Sequence, residues 1–239
     1  MAQVLNGARK LLVVDGDSAT RKDVRLAVAQ DGYQVIEADT GAEGLRQVDA
    51  LRPSLVLLEV TLPDASGFDV CRELRKKDTA VPVIMMSSRS DEIDAVVALE
   101  IGADDYVVKP LRLRELAARI AAHLRRMRME SAEATRSRLE FRDLVIDINE
   151  RRIYRAGQEV ELTHTEFDLL AFLASNAGKV LSREKILNSI WGYEYPIETR
   201  VIDVHIRNLR RKIEGQPSRP YYILAVPGIG YRFTNARPT

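Results

Sequence analysis

Cysteine is almost missing from this chain of 239 residues: Cys71 stands alone. A lone thiol excludes an internal disulfide framework and fits a reducing compartment, so a cytoplasmic protein is expected. No apolar run approaches the ~18 residues that a membrane-spanning helix needs. The opening stretch, MAQVLNGARKLLVVDGD, lacks a long apolar segment and a small-residue cleavage site, so no signal peptide is expected. Histidine is scarce too, and the spacing of His123, His164 and His205 fits no metal site. There is no Walker loop, no GxGxxG fingerprint and no recognisable nucleophile–base pair, which leaves no ground for expecting an enzyme.

What is present reads as globular, with 46% apolar and 30% charged residues. The net charge of +1 conceals a division. Residues 1–124 carry 16 basic and 20 acidic side chains, a balance of −4; residues 125–239 carry 20 and 15, a balance of +5. Halves of opposite sign imply two tasks, the second on a polyanion such as nucleic acid.

In the first half, apolar runs alternate with helical patterns. KLLVVD (10–15), QVIEA (34–38), LVLLEV (55–60), PVIMMS (82–87) and YVVK (106–109) read as strands. Segments with apolar positions at helical spacing lie between them, and RLRELAARIAAHLRRMRM follows as a fifth helix. Strand–helix alternation with runs this apolar predicts a parallel α/β sheet covered on both faces, one doubly wound domain over residues 1–127. Residues 128–138 are polar and aperiodic, a linker. The second domain, 139–239, opens with alternating strands and a turn at AGQ. Thr163 followed three residues later by Glu166 is a capping-box signature for a helix. Ser182 caps a second helix, SREKILNSIW, and ETRVIDVHIRNLRRKIEG forms a third, stopped by Gly215. YYILAVPGIGYRF closes as a hairpin.

The third helix carries the second domain's chemistry. At ~100° per residue, Ile202, Ile206, Leu209 and Ile213 share one narrow stripe that must be buried. Arg200, Val204, Arg207 and Arg211 lie on the opposite side, flanked by Asn208, Arg210 and Asp203. A ridge of Arg with Asn offers forked donors for phosphates and base edges, and Val204 suits a thymine methyl. His205 falls off the ridge, at a phosphate-contact position.

LVVDGD, LVLLEVTLPDASGFDVC, MMSSR, GADDYVVKP, ETRVIDVHIRNLRRKIE and GIGYRF together resemble the OmpR/PhoB family of two-component response regulators over nearly the whole chain. The resemblance implies a flavodoxin-like receiver domain followed by a winged helix-turn-helix domain that binds double-stranded DNA. In the family, a sensor histidine kinase phosphorylates an aspartate ending the third strand, and receivers then pair. Carried over by position, Glu59 stands at the phosphoacceptor. Asp15 matches the first of two acids that hold Mg²⁺, and Gly16 the second. Ser87 matches the hydroxyl residue, Tyr106 the aromatic switch, and Lys109 the phosphate-binding lysine, whose bond to Pro110 is cis in the family.

Two of these six positions depart from the pattern. Magnesium takes near-ideal octahedral oxygen ligands, yet Gly16 supplies none, and Asp17 would point elsewhere on leaving the strand. Glu59 is one methylene longer than Asp, and misplacing a nucleophile by ~1 Å can slow a reaction on the order of 100-fold. The metal site is therefore degenerate at Asp15 and Glu59, no cofactor is expected, and control without aspartyl phosphorylation follows. Glu59 either imitates the phosphorylated state near Lys109 and Ser87 or is a vestigial charge at a solvent-facing strand end. The alternatives are a still-phosphorylatable regulator with a weakened Mg²⁺ site and a receiver that senses a small ligand.

The resemblance also implies a homodimer face on the fourth helix, fifth strand and fifth helix. Its pattern pairs Asp105 with Arg119 and Asp104 with Arg126 across a two-fold, while Ala95 replaces the basic partner of Glu115. The apolar residues Ile93, Val97 and Leu116 would carry such a face. At the wing, Pro227 stands where the family usually has an arginine, with Arg232 as a substitute DNA contact. Trp191 and Tyr193 fall where the family meets RNA polymerase or DNA, so RNA polymerase is an expected partner.

Overall fold

The computed structural model describes residues 9–77, 81–88, 92–129, 138–192 and 200–235, with the backbone alone at 30, 92, 125–129 and 200. The chain divides into two compact units, Met1–Ile120 and Ala121–Thr239.

In the first unit, β1 (Arg9–Val14), α1 (Ser18–Val28), β2 (Tyr33–Ala38), α2 (Gly41–Leu51) and β3 (Leu55–Glu59) are followed by α3 (Gly67–Lys77), β4 (Val83–Ser87), α4 (Glu92–Glu100) and β5 (Asp105–Val108). The last helix, α5 (Leu113–Met129), runs on past the division. All pairings are parallel, in the order β2-β1-β3-β4-β5, which is the flavodoxin-like arrangement. Every residue of β3 and β4 is buried. That is why LVLLE and VIMMS show no polar alternation: helices cover both faces of the sheet.

Register then sets the site. Glu59 pairs with Met86, and Ser87 pairs with Val108. Asp15, Glu59, Ser87 and Lys109 therefore gather at the carboxyl ends of adjacent strands, where doubly wound sheets bind ligands. Gly67 holds the loop after β3 close: a Cβ there would stand 2.1 Å from the Glu59 carbonyl oxygen, so only glycine fits.

In the second unit, β6 (Arg138–Phe141), β7 (Leu144–Asp147), β8 (Arg152–Arg155) and β9 (Gln158–Glu159) form an antiparallel sheet in sequence order. α6 (His164–Ser175), β10 (Val180–Ser182), α7 (Arg183–Trp191) and α8 (Arg200–Ile213) come next, and β11 (Ile223–Val226) and β12 (Gly230–Phe233) make the hairpin. The capping box at Thr163 and Glu166 is formed, and Ser182 caps α7. Sequence reading missed β10, a three-residue strand that pairs with β12 to widen the wing to three strands. One core joins the layers, with Phe141, Leu170, Trp191, Ile206, Leu209 and Phe233 among its members. This is a winged helix-turn-helix. Of the expected linker, 130–137 lie outside the described residues, whereas 128–129 belong to α5 and 138 to β6. Among the described residues, no helix is long and apolar enough to cross a membrane.

Candidate functional site

The first site is an open cleft lined by Asp15, Gly16, Asp17, Glu59, Pro63 and Lys109, among others. Its one lysine is shared by two carboxylates. Lys109 Nζ donates to Asp15 Oδ2 at 2.7 Å and also meets the Glu59 carboxylate. The second Asp15 oxygen accepts from the Asp17 amide at 2.9 Å, and Glu59 Oε1 accepts from the Thr61 amide at 3.2 Å. Asp15 is 1% exposed and Glu59 4%. Glu59 is thus not solvent-facing, as a vestigial charge at the strand end would be: its carboxylate is turned onto the lysine. Burial disfavours the charge on Lys109, but the hydrogen bonds to Asp15 and Glu59 outweigh it and lift its pKa above the ordinary value.

Asp17 does not substitute for Gly16, because its carboxylate caps α1. It accepts from the amides of Ala19 and Thr20 at 3.0 and 3.3 Å and from the Thr20 hydroxyl at 2.8 Å. Those bonds hold its pKa below the usual carboxylate value, the Thr20 hydroxyl contributing most. Beside Gly16 sits Pro63, whose ring carbons would lie 3.0 and 3.1 Å from a Cβ at position 16. The next residue, Asp64, ties this loop to α2 by accepting from the amides of Gly41 and Ala42 at 2.8 and 3.0 Å.

Ser87 is 1% exposed at the end of β4, and its carbonyl accepts from the Lys109 amide at 2.7 Å. Ser88 rather than Ser87 lines the cleft. Tyr106 is 8% exposed and packs in the core with Leu58 and Met85. The Lys109–Pro110 peptide is cis.

Of the charges expected on a dimer face, Asp104, Asp105 and Arg119 are turned inward. Arg119 NH1 donates to both Asp105 oxygens at 3.1 Å, and its Nε donates to Glu115 at 3.0 Å, all within one chain. Asp104 is fully buried; it accepts from Arg75 at 2.8 Å and from the Val83 amide at 2.9 Å. Arg75 reached this position unseen, because 29 residues separate the partners. Leu116 is 2% exposed and belongs to the interior, whereas Ile93 is 68% and Val108 41% exposed. The Arg126 side chain lies outside the described residues.

The second site is α8. Its four isoleucine and leucine positions are buried as phased, and Arg207 and Arg211 are exposed. Three expectations need correction. His205 is 1% exposed, its ring 5.5 Å from that of Trp191, so it is a packing residue and not a phosphate contact. Asn208 is 7% exposed, on the same covered flank. Arg210 turns to the wing, where Nε and NH2 donate to the Ile223 carbonyl at 3.1 and 2.8 Å. Val204 is half-buried beside the ridge, and Arg232 is exposed on β12. Trp191 is 1% exposed, a core anchor. Tyr193 and the Arg200 side chain lie outside the described residues.

Comparison with known proteins matches this division. Residues 11–121 match the family described as response regulator receiver domain, and residues 157–233 match transcriptional regulatory protein, C terminal. The DNA-binding response regulator MtrA of Mycolicibacterium smegmatis is 40% identical over 224 residues, which cover 94% of this chain and 96% of that protein. MtrA of Mycobacterium leprae is also 40% identical, over 94% of this chain and 97% of its own. Among solved structures, Thermotoga maritima DrrB, described as an OmpR/PhoB homolog, is 36% identical with a TM-score of 0.52, covering 96% of this chain and 100% of its own. A RitR mutant is 29% identical with a TM-score of 0.74, covering 95% and 99%. With a flavodoxin-like receiver, a winged helix-turn-helix and relatives matched end to end, the chain belongs to the OmpR/PhoB family of DNA-binding response regulators.

Proposed function

We propose that this regulator controls transcription from the cytoplasm without aspartyl phosphorylation, its receiver held in one charge state by Glu59. The observation that carries the reading is the lysine: Lys109 Nζ is bound at once by Asp15, at 2.7 Å, and by Glu59. In phosphoryl transfer to a carboxylate, the cation and the metal neutralise charge arriving with the phosphoryl group. Here the charge of the cation is already met by two carboxylates of the same chain.

Magnesium, which the family implies, fits these residues poorly. Two carboxylates converge on the cleft, and both are committed to the lysine. A third oxygen ligand is missing at Gly16, and the Asp17 carboxylate is engaged at the start of α1. We therefore assign the cleft no metal and no cofactor, and the protein no catalytic step. A sensor histidine kinase is not required as its input.

The output is double-stranded DNA, read by the exposed ridge of α8, with RNA polymerase as the protein partner. A homodimer through α4, β5 and α5 would rest on Ile93 and Val108, because the acidic and basic groups there are spent within each chain. The test is incubation with acetyl phosphate and Mg²⁺ followed by intact mass. The unmodified mass is expected. A gain of one phosphoryl group that disappears in Glu59→Gln would overturn the reading.

A further inference from the structure

The recognition helix has a third face. Asp203 and Arg210 are seven residues apart, so they share a stripe lying between the buried apolar face and the exposed arginine ridge. Both point at the wing. Asp203 Oδ1 accepts from the Tyr231 hydroxyl at 2.7 Å and from Arg183 Nε at 2.9 Å. Tyr231 lies on β12, 5% exposed, and Arg183 is the first residue of α7. One turn before the end of α8, Arg210 grips the Ile223 carbonyl of β11 with two donors. The guanidinium carbons of Arg183 and Arg210 stand 5.1 and 5.8 Å from the centre of the Tyr231 ring. Two bridges, one near each end of the helix, thus tie α8 to two of the wing's three strands: Asp203 to β12 through the Tyr231 hydroxyl, and Arg210 to β11 through the Ile223 carbonyl.

We propose that Asp203 and Arg210 are positioning residues for sequence discrimination. They fix the angle between α8 and the wing, and so fix where Arg207 and Arg211 meet base edges when Arg232 meets the flanking duplex. A contact lengthened by ~1 Å from its usual ~2.9 Å is no longer a hydrogen bond. A carboxylate at the edge of a DNA-binding face also repels phosphate unless it is neutralised, and Arg183 neutralises it. The inference rests on the reading of α8 as the groove helix.

The experiment uses the full chain, a duplex enriched by the wild-type protein from a randomised library, and a scrambled duplex of the same composition. Affinities for both are measured across a salt series for Arg210→Lys, Arg210→Gln, Tyr231→Phe, Asp203→Asn and the Tyr231→Phe/Asp203→Asn double variant. The ratio of selected to scrambled affinity should fall roughly threefold to tenfold in each single variant, the worth of one or two hydrogen bonds. The salt slope should be unchanged in Arg210→Gln. Lysine should not rescue Arg210, since it restores the charge without the two-donor grip. The double variant should lose no more than Asp203→Asn alone, since Tyr231→Phe removes only a bridge that Asp203→Asn already weakens. If Arg210→Gln instead lowers the salt slope by about one unit and lysine restores binding, Arg210 is a phosphate contact and the proposal fails. It fails equally if the ratio stays at the wild-type value, or if the losses at 203 and 231 add in full. A wild-type protein that enriches no sequence overturns the groove reading and this inference with it. Tyr231→Phe removes one oxygen, so it keeps the test open should the charged variants not fold.

Discussion

Arg119 and Asp105 meet inside a single chain, with both carboxylate oxygens 3.1 Å from one guanidinium nitrogen and neither residue more than 3% exposed. Glu115, one turn earlier on α5, accepts from the same arginine. An arginine so enclosed supports the fold before it can support an interface. Arg119→Ala should lower receiver stability by about 3–5 kcal/mol, the usual penalty for stranding a buried charge. Urea unfolding of the full chain, followed through its receiver transition, measures this. A loss below about 1 kcal/mol, together with a shift from dimer to monomer, would return the arginine to the interface.

The cleft around Gly16 leads to a second prediction. A side chain there meets the Pro63 ring at 3.0 Å and adds a third carboxylate to two that already share one lysine. Gly16→Asp alone should destabilise the receiver by about 1–3 kcal/mol, the range for overpacking. Only the Gly16→Asp/Glu59→Asp double variant should gain thermal stability when Mg²⁺ is added, as mass action requires of a ligand that binds the native state. The same variant should accept phosphate from acetyl phosphate, and each single variant weakly or not at all. Equal magnesium stabilisation of the unaltered protein would contradict the degenerate site.

Much of this architecture was legible from apolar periodicity. Short apolar runs at 55–59 and 83–87, set between helical patterns, read as strands covered on both faces, and Thr163 with Glu166 marked a helix start that the structure forms. What escaped depends on neighbours distant in sequence. Helical phase states which residues of α8 share a stripe, but not which element covers it. His205 and Asn208 fall outside the narrow apolar stripe by phase, yet both are buried, and the His205 ring is 5.5 Å from that of Trp191 on α7. Asp104 looked like a surface charge until Arg75 arrived from α3. β10 is three residues long and is defined only by its pairing with β12.

The burial of His205 has a measurable consequence. His205→Ala should open a cavity against Trp191 and lower the stability of the second unit by about 2–4 kcal/mol. The salt dependence of DNA binding should not change, because no phosphate contact is lost. Thermal unfolding and a salt series on the same preparation distinguish the two roles. A normal melting curve with a slope reduced by about one unit would restore the phosphate role.

Alkaline pH should loosen the same unit through Tyr231. Burial, then the hydrogen bond to Asp203, pushes its pKa up to about 12, against about 10 for an unperturbed tyrosine. The folded state therefore holds the proton more tightly than the unfolded state. This contribution is complete below pH ~10, fades as the pH rises, and is lost by pH ~12. Burial and the hydrogen bond to Asp143 raise the Tyr222 pKa too, so phenolate absorbance should show more than one late-ionising tyrosine and lose one of them in Tyr231→Phe, and that variant should unfold less steeply with pH over the same window. A Tyr231 that ionises with the exposed tyrosines would contradict the buried bridge.

Helical phase puts positions 200, 207 and 211 on one side of α8, and we expect their arginines to play different roles. With Asn208 and His205 covered and Arg210 committed to β11, the exposed residues left to the proposed base-reading role are Arg207 and Arg211, with Val204 half-buried beside them. Arg200 opens the helix, where the family meets phosphate. Arg207→Ala should therefore cost ~1–3 kcal/mol on a selected duplex and little on a scrambled one, because a bidentate base contact carries discrimination. Arg200→Ala should weaken both duplexes about equally and reduce the salt slope by about one unit, as one lost phosphate contact requires. The measurement is the affinity of each variant for both duplexes across a salt series. If Arg207→Ala lowers the two affinities equally, the ridge is an electrostatic anchor. Discrimination would then pass to Arg211, to Val204 against a thymine methyl, or to the deformability of the duplex itself.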